Sequence, residues 1–332
     1  SWLETHGFAK RIFDRSAVTD DFDRELTLWL TEYFFVEHAS QLMAAIQRNN
    51  TQMNRQLALC IWRRLRIRKT ELDGSVFSRW IAVLLSQPSS VLHYGEWCAL
   101  LSGCRFPEDK TPCVRLFDLT TTPTIVLKES FWALIDEKHS DRIDFEIDLI
   151  RDRDHSLEQA WQDIFAPNLA AFADELSSIV TTNLTAAHGL LEMCRPTKGI
   201  YDPFRVHRQS VAKVSQTGLE HTVDVLIDAA RAILDHLLNS RPAVAAALIS
   251  MWLESSAVIL RRLGVYGFGQ RTDLPADEKL KWLSDRELLF VFKPDVFDFL
   301  KGCYPTAGET AKEGFLIHVL AGSRKVENET VD

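Results

Sequence analysis

Apolar residues recur along most of this chain at intervals of three and four, the period of one face of an α-helix. Prolines stand at the edges of the apolar blocks: Pro88, Pro107, Pro123, Pro167, Pro196, Pro242, Pro275, Pro294 and Pro305. A proline inside a helix removes a backbone hydrogen bond and clashes with the preceding turn, so it gravitates to helix ends. The pattern predicts many short helices with proline-marked joints. The fold class it implies is predominantly all-α, an α-solenoid or HEAT-like stack of helix pairs.

A first short helix is expected over 2–13. A second follows Thr19, with Asp20, Asp21 and Asp23 at its start and the stripe Phe22, Leu26, Trp29, Leu30, Tyr33 and Phe34. Further helices are expected near 40–47, 51–65, 75–85 and 95–101, then 156–165 and 167–191. In the last third, Val223, Leu226, Ile227, Ala230, Leu234 and Leu237 make one stripe. Pro242 should open a fully buried helix that runs to about 263 and is stopped by Gly264 and Gly267. Pro275 and Pro294 should open two more, and a last helix should cover about 309–320.

The period changes once. Ile143, Phe145, Ile147 and Leu149 alternate with Asp144, Glu146 and Asp148, the period of two of a half-buried strand. The β-branched run 124–128 is its natural partner. One small hairpin near 124–150 is expected, with its tip near 137–141. The longest irregular stretch is 194–217. The organisation expected is a helical array with a small hairpin over 1–193, a loop over 194–217, a second array over 218–321 and a frayed polar tail over 322–332. Because the chain opens on Ser1, Trp2 and Leu3, a preceding repeat in a longer protein is also expected.

Composition narrows the function classes. The chain has 332 residues, 46% hydrophobic and 25% charged, with a formal net charge of −8. An acidic balance opposes wholesale coating of a polyanion. Cys60, Cys98, Cys104, Cys113, Cys194 and Cys303 form no C-x-x-C pair, so reduced, buried thiols of a cytoplasmic protein are expected. The apolar run 242–253 falls short of the roughly 20 residues that span a bilayer, so no membrane association is expected.

Candidate chemistry is sparse. Phosphate-loop, zinc-protease and nucleophile-elbow motifs are absent from the sequence, and no turnover of NAD, ATP or nucleic acid is expected of this chain. Gly264, Gly267 and Gly269 follow a helix instead of a strand, so they do not make a nucleotide loop. His221, Asp224 and Asp228 share a helical face and could bind a metal or serve an all-α enzyme. Arg231, three residues after Asp228, favours an ion pair instead. Acidic residues 144, 146 and 148 are read as protection of a strand edge. His188, beside Leu184, Leu190 and Leu191, is read as a buried core residue. No metal and no cofactor are expected. Arg63, Arg64, Arg66, Arg68 and Lys69 concentrate five cations in seven residues, a candidate anion-binding patch or a solvated helix C-terminus. In the 194–217 loop, Tyr201, Phe204, Arg205, His207 and Arg208 include the aromatic and arginine types that dominate interfaces. They are the candidate partner contacts, unless Tyr201 and Phe204 pin the loop to the array.

The runs Asp224-Val225-Leu226-Ile227-Asp228-Ala229-Ala230-Arg231, Arg261-Arg262-Leu263 and Lys279-Leu280-Lys281-Trp282-Leu283, followed by Val296-Phe297, Leu300 and Tyr304-Pro305, carry a resemblance. Over roughly 205–321 they resemble the helical C-terminal region of large bacterial antiphage defence proteins with a SIR2-like NADase or a STAND-type NTPase towards the N-terminus. The resemblance implies a sensor or assembly segment whose partner is a phage protein or other subunits, with any catalytic domain outside this chain. The alternative is a nucleic-acid-binding helical scaffold using Arg63 to Lys69.

Overall fold

Helix prevails wherever the 3.6-residue stripe does. The computed structural model describes residues 25, 28–29, 31–32, 35, 40–41, 43–44, 53, 55–67, 72–127, 145–148, 156–194, 204, 208, 210–212, 222–286, 289 and 292–329. The expected helix over 2–13 and the hairpin tip lie outside them. The chain divides into two compact units, residues 1–122 with 150–168, and residues 123–149 with 169–332. The boundary between these units falls before the long helix at 169.

In the first unit the helices are α1 (Arg55–Ile67), α2 (Gly74–Leu85), α3 (Tyr94–Ser102) and α4 (Lys110–Thr121). Helix α1 packs on α2 and α3, and α4 packs on α2 and α3. Their ends are written in the sequence. Asp73 caps α2 by accepting from the Ser75 amide, and the Glu96 carboxylate reaches back to the His93 amide at 2.5 Å to start α3. Trp80 is fully buried, stacks 5.0 Å from Phe35, and donates its indole N–H to the Phe35 carbonyl. Trp29, expected on the buried stripe, is 47% exposed.

Helix α4 had no counterpart in the sequence reading, and its composition explains why. Its buried stripe is Cys113, Leu116, Phe117, Thr120 and Thr121. The two threonines hide their hydroxyls by returning hydrogen bonds to the Leu116 and Phe117 carbonyls, each at 2.7 Å. Pro112 lies in the first turn, where its missing N–H costs nothing. The unit is completed by α5 (Ser156–Ala160), a π-turn at Trp161–Phe165 and a short 3-10 turn at Ala166–Asn168. Phe117 meets Phe165 at 4.9 Å between ring centres.

The second unit opens with the hairpin, β1 (Thr124–Leu127) against β2 (Phe145–Asp148), antiparallel with Thr124 opposite Asp148 and Leu127 opposite Phe145. Helices follow: α6 (Leu169–Cys194), α7 (Thr222–Ser240), α8 (Pro242–Leu253), α9 (Val258–Gln270), α10 (Ala276–Ser284), α11 (Lys293–Cys303) and α12 (Glu309–Glu329). Neighbours in sequence again pack on each other, α6 with α7, α7 with α8 and α8 with α9, while α11 lies on α9 and α12 on α10. Trp252 joins α8 to α6 through its indole N–H to the Thr181 hydroxyl at 2.9 Å.

Three expectations are corrected here. The helix from Pro242 ends at Leu253, because the Ser255 hydroxyl captures the Ala257 amide at 3.1 Å and turns the chain. It is not fully buried, since Val244 is 43% and Met251 50% exposed. Gly264 and Gly267 do not stop a helix; they lie inside α9 where helices meet. A Cβ at Gly264 would stand 2.8 Å from Leu253, and one at Gly267 would stand 2.5 Å from Leu234 and 2.9 Å from Ile249. Finally, α12 continues to Glu329, so the backbone of the expected polar tail is largely helical.

Candidate functional site

Two features of the second unit depart from an ordinary apolar core with a polar surface. The first is a cluster of buried charge. Arg262 on α9 is 2% exposed, and Asp295 in the first turn of α11 is 3% exposed. The Arg262 Nε donates to Asp295 Oδ2 at 2.6 Å. One guanidinium nitrogen of Arg262 also reaches the Arg208 carbonyl at 3.0 Å, and Asp295 Oδ1 accepts the Val211 amide at 2.8 Å. Arg208, itself 3% exposed, donates to Asp224 at 3.4 Å and to Asp228, both on α7. Arg231 pairs with Asp228 at 3.0 Å and donates to the Val211 carbonyl at 3.2 Å. Ser210 reaches Asp298 of α11 at 2.7 Å.

Arg208, Arg231 and Arg262 thus balance Asp224, Asp228 and Asp295. A buried charge without a partner costs several kcal/mol, so each side chain here is held by the others. The same charges also hold backbone: the Arg208 carbonyl accepts from Arg262, the Val211 carbonyl accepts from Arg231, and the Val211 amide donates to Asp295. The chemistry available is holding: the guanidinium groups donate to the carboxylates and to backbone carbonyls, and the carboxylates are occupied by those donors. The α7 carboxylates once considered for a metal are engaged by Arg208 and Arg231; His221 lies outside the described residues. Among the described residues no group of three or more His, Cys, Asp or Glu is arranged to hold a metal ion.

This cluster relocates part of the candidate partner surface. Phe204 is 3% exposed and Arg208 turns inward, so neither is offered to a partner. Their physical role is to anchor the loop. Tyr201, Arg205 and His207 lie outside the described residues. Arg63, Arg64 and Arg66 of the basic run lie in the C-terminal turns of α1. Arg63 and Arg66 are exposed, Arg64 lies 3.6 Å from Glu32, and Arg66 covers the Trp62 ring at 5.2 Å. Arg68 and Lys69 lie outside the described residues. His188 is buried, with Nδ1 3.9 Å from Glu192. Cys60, Cys98, Cys104, Cys113 and Cys303 are buried thiols.

A titratable pair, Asp235 and Tyr266, lies near Arg231, and Lys279 is a further shifted group. The Tyr266 hydroxyl donates to Asp235 at 2.9 Å. Burial raises the Asp235 carboxyl above its ordinary range, opposed by that hydrogen bond, and burial together with Asp235 raises the Tyr266 phenol. Lys279 donates to the Gly269 carbonyl at 2.8 Å, and burial lowers its pKa.

The second feature is the reverse, apolar residues outside. Phe297 on α11 is 61% exposed; on α12, Leu316 is 47%, Ile317 69% and Leu320 62% exposed. Beside Phe297 runs an open groove of about 330 Å³ lined by Phe297, Leu300, Lys301, Tyr304, Pro305 and Phe315. Lys301 lies 4.7 Å from the Phe297 ring centre and Lys312 5.7 Å from that of Tyr304, so two cations edge an aromatic floor. Sequence reasoning passed over this face. Its signal was the run Phe315-Leu316-Ile317-His318-Val319-Leu320, whose apolar residues cover more of the helix than a single buried stripe needs. Phe315 and Val319 satisfy the core, and the others are left over.

Comparison with family models, with curated proteins and with solved structures finds no match to this chain. Among the described residues no helix is long and apolar enough to cross a membrane.

Proposed function

We propose that this chain is a protein-binding and assembly segment whose contact surface is the exposed apolar face of α11 and α12. The observation that carries the reading is the set Phe297, Leu316, Ile317 and Leu320, each 47% exposed or more. Large apolar side chains left in water, one of them lining a groove, are a costly surface, and they mark interaction sites. In keeping with the resemblance of roughly 205–321 to antiphage defence proteins, the role proposed is that of a sensor or assembly region in the bacterial cytoplasm, with catalysis carried by another domain. The buried thiols agree with a reducing compartment.

The test is a photo-crosslinking residue placed at Ile317 in the chain expressed in bacteria, with one at exposed Glu254 on the far end of α8 as control. The expected result is a protein adduct from 317 and none from 254. No adduct at 317 would overturn the reading. Exposed Arg63 and Arg66 favour one second reading, a nucleic-acid scaffold; it predicts binding to DNA or RNA that weakens steeply with salt and is lost in Arg63→Glu with Arg66→Glu.

A further inference from the structure

Helix α11 is seated off the centre of its own apolar pattern. At about 100° per residue, its apolar side chains follow one another round the helix as Phe299, Cys303, Val296, Leu300 and Phe297, an arc of about 160°. Burial centred on that arc would hide Val296 and Leu300 deepest and treat its two edges, Phe299 and Phe297, alike. In the structure Phe299, Cys303 and Val296 are buried, Leu300 is half-buried and Phe297 stands in water. The buried arc extends past Phe299 to Asp295, the next position round. Its centre is turned by about 50° from the centre of the apolar residues.

The grip on the helix lies on the Asp295 side. Asp295 accepts from the Arg262 Nε at 2.6 Å and from the Val211 amide at 2.8 Å. Asp298, further round on the same side, accepts from the Ser210 hydroxyl at 2.7 Å. We infer that the buried charge cluster is a rotational latch: it holds α11 rolled towards Asp295, and this roll is what puts Phe297 on the surface. Left to its apolar pattern, the helix would turn Phe297 inward and Asp295 towards water. The consequence for function rests on the α11–α12 face being the contact surface. That face is then complete only while Arg262, Val211 and Ser210 grip α11, and loosening them retracts Phe297.

4-Fluorophenylalanine in place of Phe297 in the full chain tests this, because a fluorine in contact with water resonates differently in H2O and in D2O. The parent should show a large difference, since Phe297 is 61% exposed. Arg262→Met leaves the Asp295 carboxylate without its cation and draws it to water, so the difference should fall by about half or more. Arg262→Met with Asp295→Leu extends the apolar arc past Phe299, so the roll and the parent signal should return. Trimethylamine N-oxide in every sample supports folding of the weakened variant, and circular dichroism confirms its helices. Ser210→Ala with Asp298→Ala touches only the partly exposed end of the cluster; it should fold without the osmolyte and lower the difference by less. A signal unchanged in a folded Arg262→Met, a signal lost equally in the double variant, or, where Arg262→Met does not fold, a signal unchanged in Ser210→Ala with Asp298→Ala would each overturn the inference. The crosslinker at Ile317 separates the two failures. An adduct with unchanged fluorine signals removes the latch and keeps the contact face. No adduct with the expected fluorine signals removes the contact face and keeps the latch.

Discussion

Two residues of α11, two positions apart, reverse the usual partition of a globular protein. Asp295 is 3% exposed and Phe297 is 61% exposed. The difference between them lies in what meets each side chain. Asp295 receives Arg262 at 2.6 Å and the Val211 amide at 2.8 Å, so its burial is compensated within the chain. Phe297 meets a single cation, Lys301, and otherwise faces water with its groove. Buried charge that is matched does structural work: it ties Arg208 and Val211 to α7, α9 and α11. Apolar surface that the chain does not cover is where a partner contributes. A sequence search for charged or aromatic residues in a long loop selects Phe204 and Arg208, the anchors, and passes over the leftover apolar residues of an ordinary helix.

The largest expected effect breaks the buried side of this contrast. Asp295→Ala or Arg262→Met leaves a buried charge without its partner and should cost about 3–5 kcal/mol, read by urea denaturation. Arg262→Met with Asp295→Leu should recover much of the loss, since an apolar pair of similar volume replaces an ion pair at little cost. Recovery stays incomplete because the Val211 amide and Arg208 carbonyl still lose their bonds.

Close packing supplies the next effect. Gly267→Ala puts a Cβ 2.5 Å from Leu234 and should destabilise by about 1–3 kcal/mol through overpacking. Gly302 and Gly314, also helical, have open space at that position, so alanine there should stabilise by about 0.5–1 kcal/mol. The same substitution with opposite signs, measured by thermal melting, separates packing from propensity. On the exposed side, Ile317→Glu should change stability by no more than about 0.5 kcal/mol.

The smallest effect is a slope with pH. The Asp235 carboxyl is raised from its ordinary 3.8 by burial. A carboxyl raised on folding binds its proton more tightly in the folded state. Its contribution is therefore fully present below the ordinary value and is lost as pH rises from there through the folded-state value. Asp235→Asn should remove that loss, and Tyr266→Phe, which deletes the bond opposing the shift, should steepen it. Chemical denaturation at a series of pH values upward from about 4 reads both.

Much of the architecture was legible because it is local. The stripe from Val223 to Leu237, Pro275 and Pro294 at helix starts, and the alternation around Phe145 each report a backbone preference within a few residues. What was hidden depends on partners far along the chain. Thr120 and Thr121 read as polar until their hydroxyls turn back on the helix. Gly264 and Gly267 read as helix ends until Leu253, Leu234 and Ile249 are placed beside them. Arg208 reads as a surface residue until Asp224 and Asp228 arrive from α7, and Arg262 reads as one until Asp295 arrives 33 residues later. The expected partner loop failed at Phe204 and Arg208 for that reason. The α11–α12 face was missed because exposure is a property of what remains after packing, which no single helix period reports.

Amide hydrogen exchange of the chain alone and with the protein crosslinked at Ile317 tests the central claim most directly, because it reads the matched interior and the uncovered face in one experiment. The account predicts that protection rises with that partner in α12, residues 309–329, and around Phe297, while Arg208, Val211 and α9 exchange at the same rates in both samples. Protection that rises instead at Arg208 and Val211, or that leaves α12 unchanged with the partner bound, would contradict it.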